Sequence, residues 1–82
     1  MAKVKPDSGL KYSNLPSRQL QVFIFIEREI DDKGVAPSLQ EIADGNGMIL
    51  AQAQQIVNAL ESKGKIKTTP HKARSIEIVK QK

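Results

Sequence analysis

Hydrophobic positions recur along this chain with two different periods. Leu20, Phe23, Ile26 and Ile30 are spaced three and four apart, which makes one stripe of a helix, and Glu27-Arg28-Glu29 with Asp31-Asp32-Lys33 fill its solvated side. The run Val22-Phe23-Ile24-Phe25-Ile26 also suits a buried strand, but the stripe continues to Ile30 with polar residues in its gaps, so length decides for a helix. The helix begins around Leu15-Pro16-Ser17, since proline's missing N–H costs nothing in a first turn, and it ends at Gly34. Ile24 points away from the stripe, either toward a C-terminal sheet or, with Phe25, to solvent as a partner surface.

A second helix is announced by Ser38 and Glu41, the spacing of a capping box in which each side chain satisfies a backbone N–H of the first turn. Leu39, Ile42 and Ala43 follow at helical spacing. Asp44-Gly45-Asn46-Gly47 then gathers residues that tolerate positive φ, which predicts a helix end and a sharp turn there. From about Ile49 the helical pattern resumes, with Leu50, Ala53, Ile56, Val57 and Leu60 on one stripe and Gly64 behind Lys63 as a stop signal.

Elsewhere the period is two. Lys65-Ile66-Lys67-Thr68-Thr69 alternates polar and apolar, and Ser75-Ile76-Glu77-Ile78-Val79 does so again, which predicts an antiparallel hairpin. Its loop, Pro70-His71-Lys72-Ala73-Arg74, would project as a basic wing. Val35-Ala36-Pro37 is extended, because the residue before a proline is pushed out of the α region, and is a candidate for a very short edge strand. The fold class is therefore mainly α (α+β): a three-helix winged helix-turn-helix with a C-terminal β-hairpin. Its expected core joins Phe23, Ile26, Ile30, Ile42, Leu50, Val57, Leu60, Ile66 and Ile76. The domain spans residues 15–80; residues 1–14 carry Lys3, Lys5 and Lys11 without apolar periodicity and read as a mobile basic arm or an inert tail.

Composition narrows the partner. With 82 residues there is room for one domain and a modest core, not for an enzyme cleft beside a second domain. No apolar run approaches the roughly 20 residues that span a bilayer, and no signal peptide is legible, so an intracellular, cytoplasmic protein at the nucleoid is expected. The net charge of +4 and pI of 9.6 favour a polyanionic partner. The charge is uneven: Lys63, Lys65, Lys67, Lys72, Arg74, Lys80 and Lys82 crowd residues 63–82 against Glu77 alone.

Candidate chemistry lies on the outward face of the third helix, where Ala51, Gln55, Asn58 and Ser62 are bordered by Gln52 and Gln54. This face is amide-rich and uncharged. Glutamine and asparagine can bond bidentately to the N6 and N7 edge of adenine, although an ordinary solvated face has the same composition. Catalytic chemistry has no foothold. His71 is the only histidine and there is no cysteine, so family-like zinc spacing is impossible. No glycine-rich phosphate loop follows a strand, and Asp31 and Asp32 have no partner arranged as nucleophile or base. The expectation is a protein that is not an enzyme, with no catalytic residue, metal, cofactor, small-molecule substrate or membrane partner.

At this point the residues resemble a known family, the N-terminal DNA-binding domain of the LexA repressor. The resemblance rests on Leu15-Pro16-Ser17-Arg18-Gln19 leading into Val22-Phe23 with Ile26 and Ile30, on Gly34-Val35-Ala36-Pro37-Ser38, on Glu41-Ile42-Ala43, and on Ala59-Leu60-Glu61-Ser62-Lys63-Gly64-Lys65-Ile66, within about residues 15–79. It implies a third helix laid in the major groove of operator DNA. In the family a separate C-terminal domain supplies dimerisation and self-cleavage; no such domain is read in this chain, so self-cleavage is not carried over.

The chain also departs from the family pattern, whose recognition helix opens with serine, proline and asparagine after a Leu-Gly-Phe-like turn. Gly47-Met48 keeps the turn, but Asn46 stands where leucine is usual and the segment is about one residue shorter before Ile49-Leu50-Ala51. Ala51 thus falls at the family's base-contacting asparagine, and Gln52, Gln54 and Gln55 fall at its other contact positions. DNA binding is expected to survive and the family's operator specificity to be lost.

The expected function is duplex DNA binding in transcriptional control, as a small repressor-like regulator. Ala51, Gln52, Gln54, Gln55 and Asn58 would contact bases; Ser38, Lys63, Lys65, His71, Lys72 and Arg74 would contact the DNA backbone. A homodimer or a partner protein is expected to complete tight binding, since one such unit buries only roughly 600–1,000 Å² on DNA. The competing reading is a winged-helix protein-interaction module that has lost or modified DNA binding. RNA binding ranks third, because Phe23, Phe25 and Tyr12 offer no stacking platform.

Overall fold

The computed structural model describes residues 15–69 and 74–79. Three helices and one hairpin account for them: α1 (Ser17–Lys33), α2 (Leu39–Asn46), α3 (Leu50–Ser62), β1 (Ile66–Lys67) and β2 (Glu77–Ile78), the two strands pairing antiparallel with Ile66 opposite Ile78 and Lys67 opposite Glu77. This is the winged helix-turn-helix arrangement expected from the two periods. The 1–14 arm lies outside the described residues, as do Pro70–Ala73 of the wing.

The apolar stripes converge on one core. Val22, Phe23 and Ile26 of α1, Ile42 and Ala43 of α2, Ala53, Ile56, Val57 and Leu60 of α3, and Ile66 and Ile76 of the hairpin are all buried. Ile30 packs against this cluster while half exposed. Leu50 is the departure: expected in the core, it is 47% exposed. It is the first residue of α3, so no preceding turn of the helix carries it over the core, and the buried direction is set by Ala53, Ile56, Val57 and Leu60 further along.

The helix ends differ from expectation in an informative way. α2 does not stop at Asp44 but runs through Gly45 to Asn46, and only Gly47 takes the left-handed conformation, with φ 67°. Asn46 is held in the helix because its side-chain amide donates to the Ile42 carbonyl at 2.7 Å, while the Gln21 amide donates to Asn46 Oδ1 at 3.1 Å and ties the end of α2 to α1. Gly45 is there for space rather than for φ. A Cβ added at this position would lie 2.5 Å from Cε1 and 2.7 Å from Cζ of Phe25, so the ring of α1 lies flush on the α2 backbone. The turn between α2 and α3 is thereby reduced to Gly47, Met48 and Ile49.

The ladder of the hairpin is shorter than the alternation predicts, because a side chain takes over where it ends. Ser75 Oγ accepts from the Thr69 N–H at 3.0 Å and donates to the Thr69 carbonyl at 3.2 Å, satisfying the backbone groups that a longer ladder would pair. Residues 35–37 form no strand, although Ala36 and Pro37 are buried.

Two stability predictions follow from this packing. Leu60→Ala, at a fully buried site, is expected to cost roughly 2–5 kcal/mol in denaturant unfolding; a loss under about 0.5 kcal/mol would place the core on another face of α3. Replacing a helical glycine by alanine ordinarily gains about 1 kcal/mol. Gly45→Ala should realise that gain only in a Phe25→Ala background, and a double-mutant cycle showing no coupling between the two would refute the close contact.

Candidate nucleic-acid interface

The stripe that α3 buries leaves Ala51, Gln54, Gln55 and Asn58 exposed, with Gln52 half-buried at the margin. The five residues expected to meet bases therefore share the solvent side of one helix. Two of them are already paired, since the Gln54 amide donates to Asn58 Oδ1 at 2.9 Å one turn further on. That bond leaves Gln54 Oε1 and the Asn58 amide to face outward, an acceptor beside donors. At the leading end Ile49 is in the N-cap position with extended backbone (φ −82°, ψ 162°) and supplies no side-chain cap. Ile49 is 70% exposed, so the helix tip is apolar as well as uncapped.

The other end of the helix-turn-helix is tied by hydrogen bonds. Ser38 Oγ accepts from the Glu41 N–H at 3.1 Å and the Glu41 carboxylate accepts from the Ser38 N–H at 3.0 Å, completing the expected capping box. The same carboxylate receives Arg74 in a two-point grip, Nη1 at 2.6 Å and Nη2 at 2.8 Å, and Nη1 also donates to the Ala36 carbonyl at 3.3 Å. The Arg74 guanidinium lowers the Glu41 pKa from 4.5 to about 2, with the Ser38 N–H as the second cause, and Glu41 raises that of Arg74 in return. Arg74 holds this position with φ 55°, unusual for a residue other than glycine. An arginine expected on phosphate is thus spent on tying residue 74, ahead of β2, to the start of α2.

The remaining cations are divided by the fold. Lys63, exposed beyond the end of α3, donates to Gln19 Oε1 at 2.7 Å and so bridges to α1. Lys65 is buried, contrary to an expected role at the DNA surface. Its N–H bonds the Leu60 carbonyl and its carbonyl accepts from the Val79 N–H, both at 3.0 Å, where the chain leaves α3 for the hairpin. His71 and Lys72 lie outside the described residues. Of the expected partner surface, Ile24 is half-buried and Phe25 is packed on the core and against Gly45. Alternation and charge counting give no sign of the Arg74–Glu41 grip, because its partners are 33 residues apart.

Among the described residues there is no cluster of histidine, cysteine or carboxylates able to hold a metal ion, and no helix is long and apolar enough to cross a membrane. The family model of the LexA DNA binding domain matches residues 12–75. The LexA repressor of Magnetococcus marinus is 40% identical over 79 residues, which cover 96% of this chain and 34% of that protein. Those of Koribacter versatilis and Brevibacillus brevis are 39% and 40% identical over 69 and 70 residues, covering 83% and 82% of this chain. The chain spans about a third of the length of these curated relatives.

The Glu41 grip makes a pH prediction. A carboxylate whose pKa falls on folding contributes stability that is fully present above its unfolded value, here 4.5, and is lost as the pH drops toward about 2. Wild type should therefore be more stable than Glu41→Gln near neutrality, with the difference in unfolding midpoint closing between pH 4.5 and 2. A difference that stays constant across this window would show that the ion pair is not formed in solution.

Proposed function

The chain belongs to the LexA DNA-binding domain family, and from that premise we propose that it binds duplex DNA with α3 in the major groove and acts in transcriptional control. The domain carries binding rather than catalysis, and its place of action would be the nucleoid in the cytoplasm. The observation that supports the reading most directly is the division of α3: its apolar stripe is buried and its uncharged amide face is exposed. A helix entering the groove needs that division, because acidic groups would be repelled by phosphates while amides match base edges.

Within this reading Gln52, Gln54, Gln55 and Asn58 contact base edges, and Ala51 allows close approach. Lys63, Lys72 and His71 meet phosphates, with Ser38 and the first backbone N–H groups of α3 beside them. Arg74 contributes by aiming the wing. The LexA relatives are named as repressors, and the same direction of control is proposed for this chain. Because one unit buries a small area on DNA, a second copy or a neighbouring protein would complete a tight complex.

The test is selection from random duplex DNA at two salt concentrations. The expected result is a consensus sequence in which Gln55→Ala changes the preferred bases, whereas Lys72→Ala weakens every duplex alike and lowers the salt slope by about 0.9. Equal effects of the two substitutions on every sequence would overturn the division of labour. No duplex retained at low salt would overturn the DNA reading and favour a protein partner.

A further inference from the structure

Three large hydrophobic side chains are exposed among the described residues: Val35, Ile49 and Leu50. Two of the three are adjacent and form the leading end of α3, where a helix-turn-helix protein brings its second helix against base edges. Ile49 is the more exposed, at 70%, although N-cap positions ordinarily favour a small polar residue that would bond the N–H groups behind it. An apolar tip here forgoes that cap. Leu50 lies one turn before Gln54 and two before Asn58, on the edge of α3 that carries their hydrogen bond.

We propose that Ile49 and Leu50 read thymine through its 5-methyl group, so that the tip of α3 selects A·T pairs by an apolar contact next to an amide contact. This rests on the duplex-binding reading above and names what its leading residues recognise. The major-groove edge of DNA has one apolar feature, the thymine methyl, and an aliphatic side chain that cannot hydrogen-bond gains only from that feature. The same base pair presents adenine N6 and N7 beside the methyl. A single A·T pair therefore offers complementary groups to both kinds of side chain on this edge: the amide of Gln54 to adenine and the isobutyl group of Leu50 to thymine. A guanine–cytosine pair in the same place offers Leu50 and Ile49 nothing.

The decisive measurement compares duplexes of the selected sequence with twins in which single thymines are replaced by uracil, which removes the methyl and leaves every hydrogen-bonding group in place. Wild type is expected to bind roughly fourfold more weakly for each methyl lost under the helix tip, the worth of one buried methyl group, and to be indifferent to uracil elsewhere. Ile49→Ser combined with Leu50→Ala should bind thymine and uracil duplexes equally. Serine is a favoured N-cap, so thermal unfolding of this variant should confirm that the helix is intact.

Retained sequence preference with no sensitivity to uracil in wild type would sink the methyl contact and leave the duplex-binding reading standing. A consensus without thymine beneath the tip would do the same. Failure to select any duplex would remove both. Self-association in sedimentation that Ile49→Ser abolishes, without uracil sensitivity, would assign the apolar tip to a second copy of the chain and overturn the proposal.

Discussion

Burial of one stripe of α3 is the constraint from which the rest of the site follows, because a helix with Ala53, Ile56, Val57 and Leu60 fixed against the core has no remaining freedom to rotate. The helix packs against α1, α2 and β1, and turning it by even one residue position would exchange apolar side chains for amides in the core. The amide face is outward for this reason and not through any contact of its own. Ala53 matters as much as the larger residues. Its small, fully buried side chain lets the first turns of α3 approach the other helices.

The second fixed point is electrostatic. Glu41 caps α2, receives the Arg74 fork and stands beside the Ala36 carbonyl that the same arginine reaches. One carboxylate thereby joins the linker before α2, the helix start and Arg74 ahead of β2. The pair is partly exposed, so its value as a source of stability is limited by solvent screening. Its value as a geometric tie is greater, since a two-point contact between planar groups fixes orientation as well as distance. At the opposite end of α2, Asn46 plays the corresponding part through Gln21, and Phe25 seals the approach over Gly45. Between these ties α2 is held at both ends and hands α3 a turn of fixed length.

The tip of α3 carries two of the three large hydrophobic side chains exposed among the described residues, and its N-cap makes no side-chain bond. Ile49 has no capping bond to make and Leu50 has lost its place in the core. In a protein that stood alone, such a tip would be a poor choice, because it neither stabilises the helix start nor favours solubility. Beside a row of amides it is the feature that the proposed thymine contact would account for.

Periodicity in the sequence was enough to set the number and order of elements, the capping box at Ser38 and Glu41, the glycine stop at Gly34, and most of the core, because these depend on interactions between near neighbours and on a stripe either being apolar or not. Leu50 apart, it also determined which residues of α3 are outward, as the complement of the buried stripe. The tertiary structure alone decided that Gly45 is required by a ring from another helix, that Leu50 lies beyond the core, that Lys65 is buried, and that Arg74 grips Glu41. Each of these depends on where a second element, distant in the chain, comes to rest, and no local pattern of polar and apolar residues carries that distance.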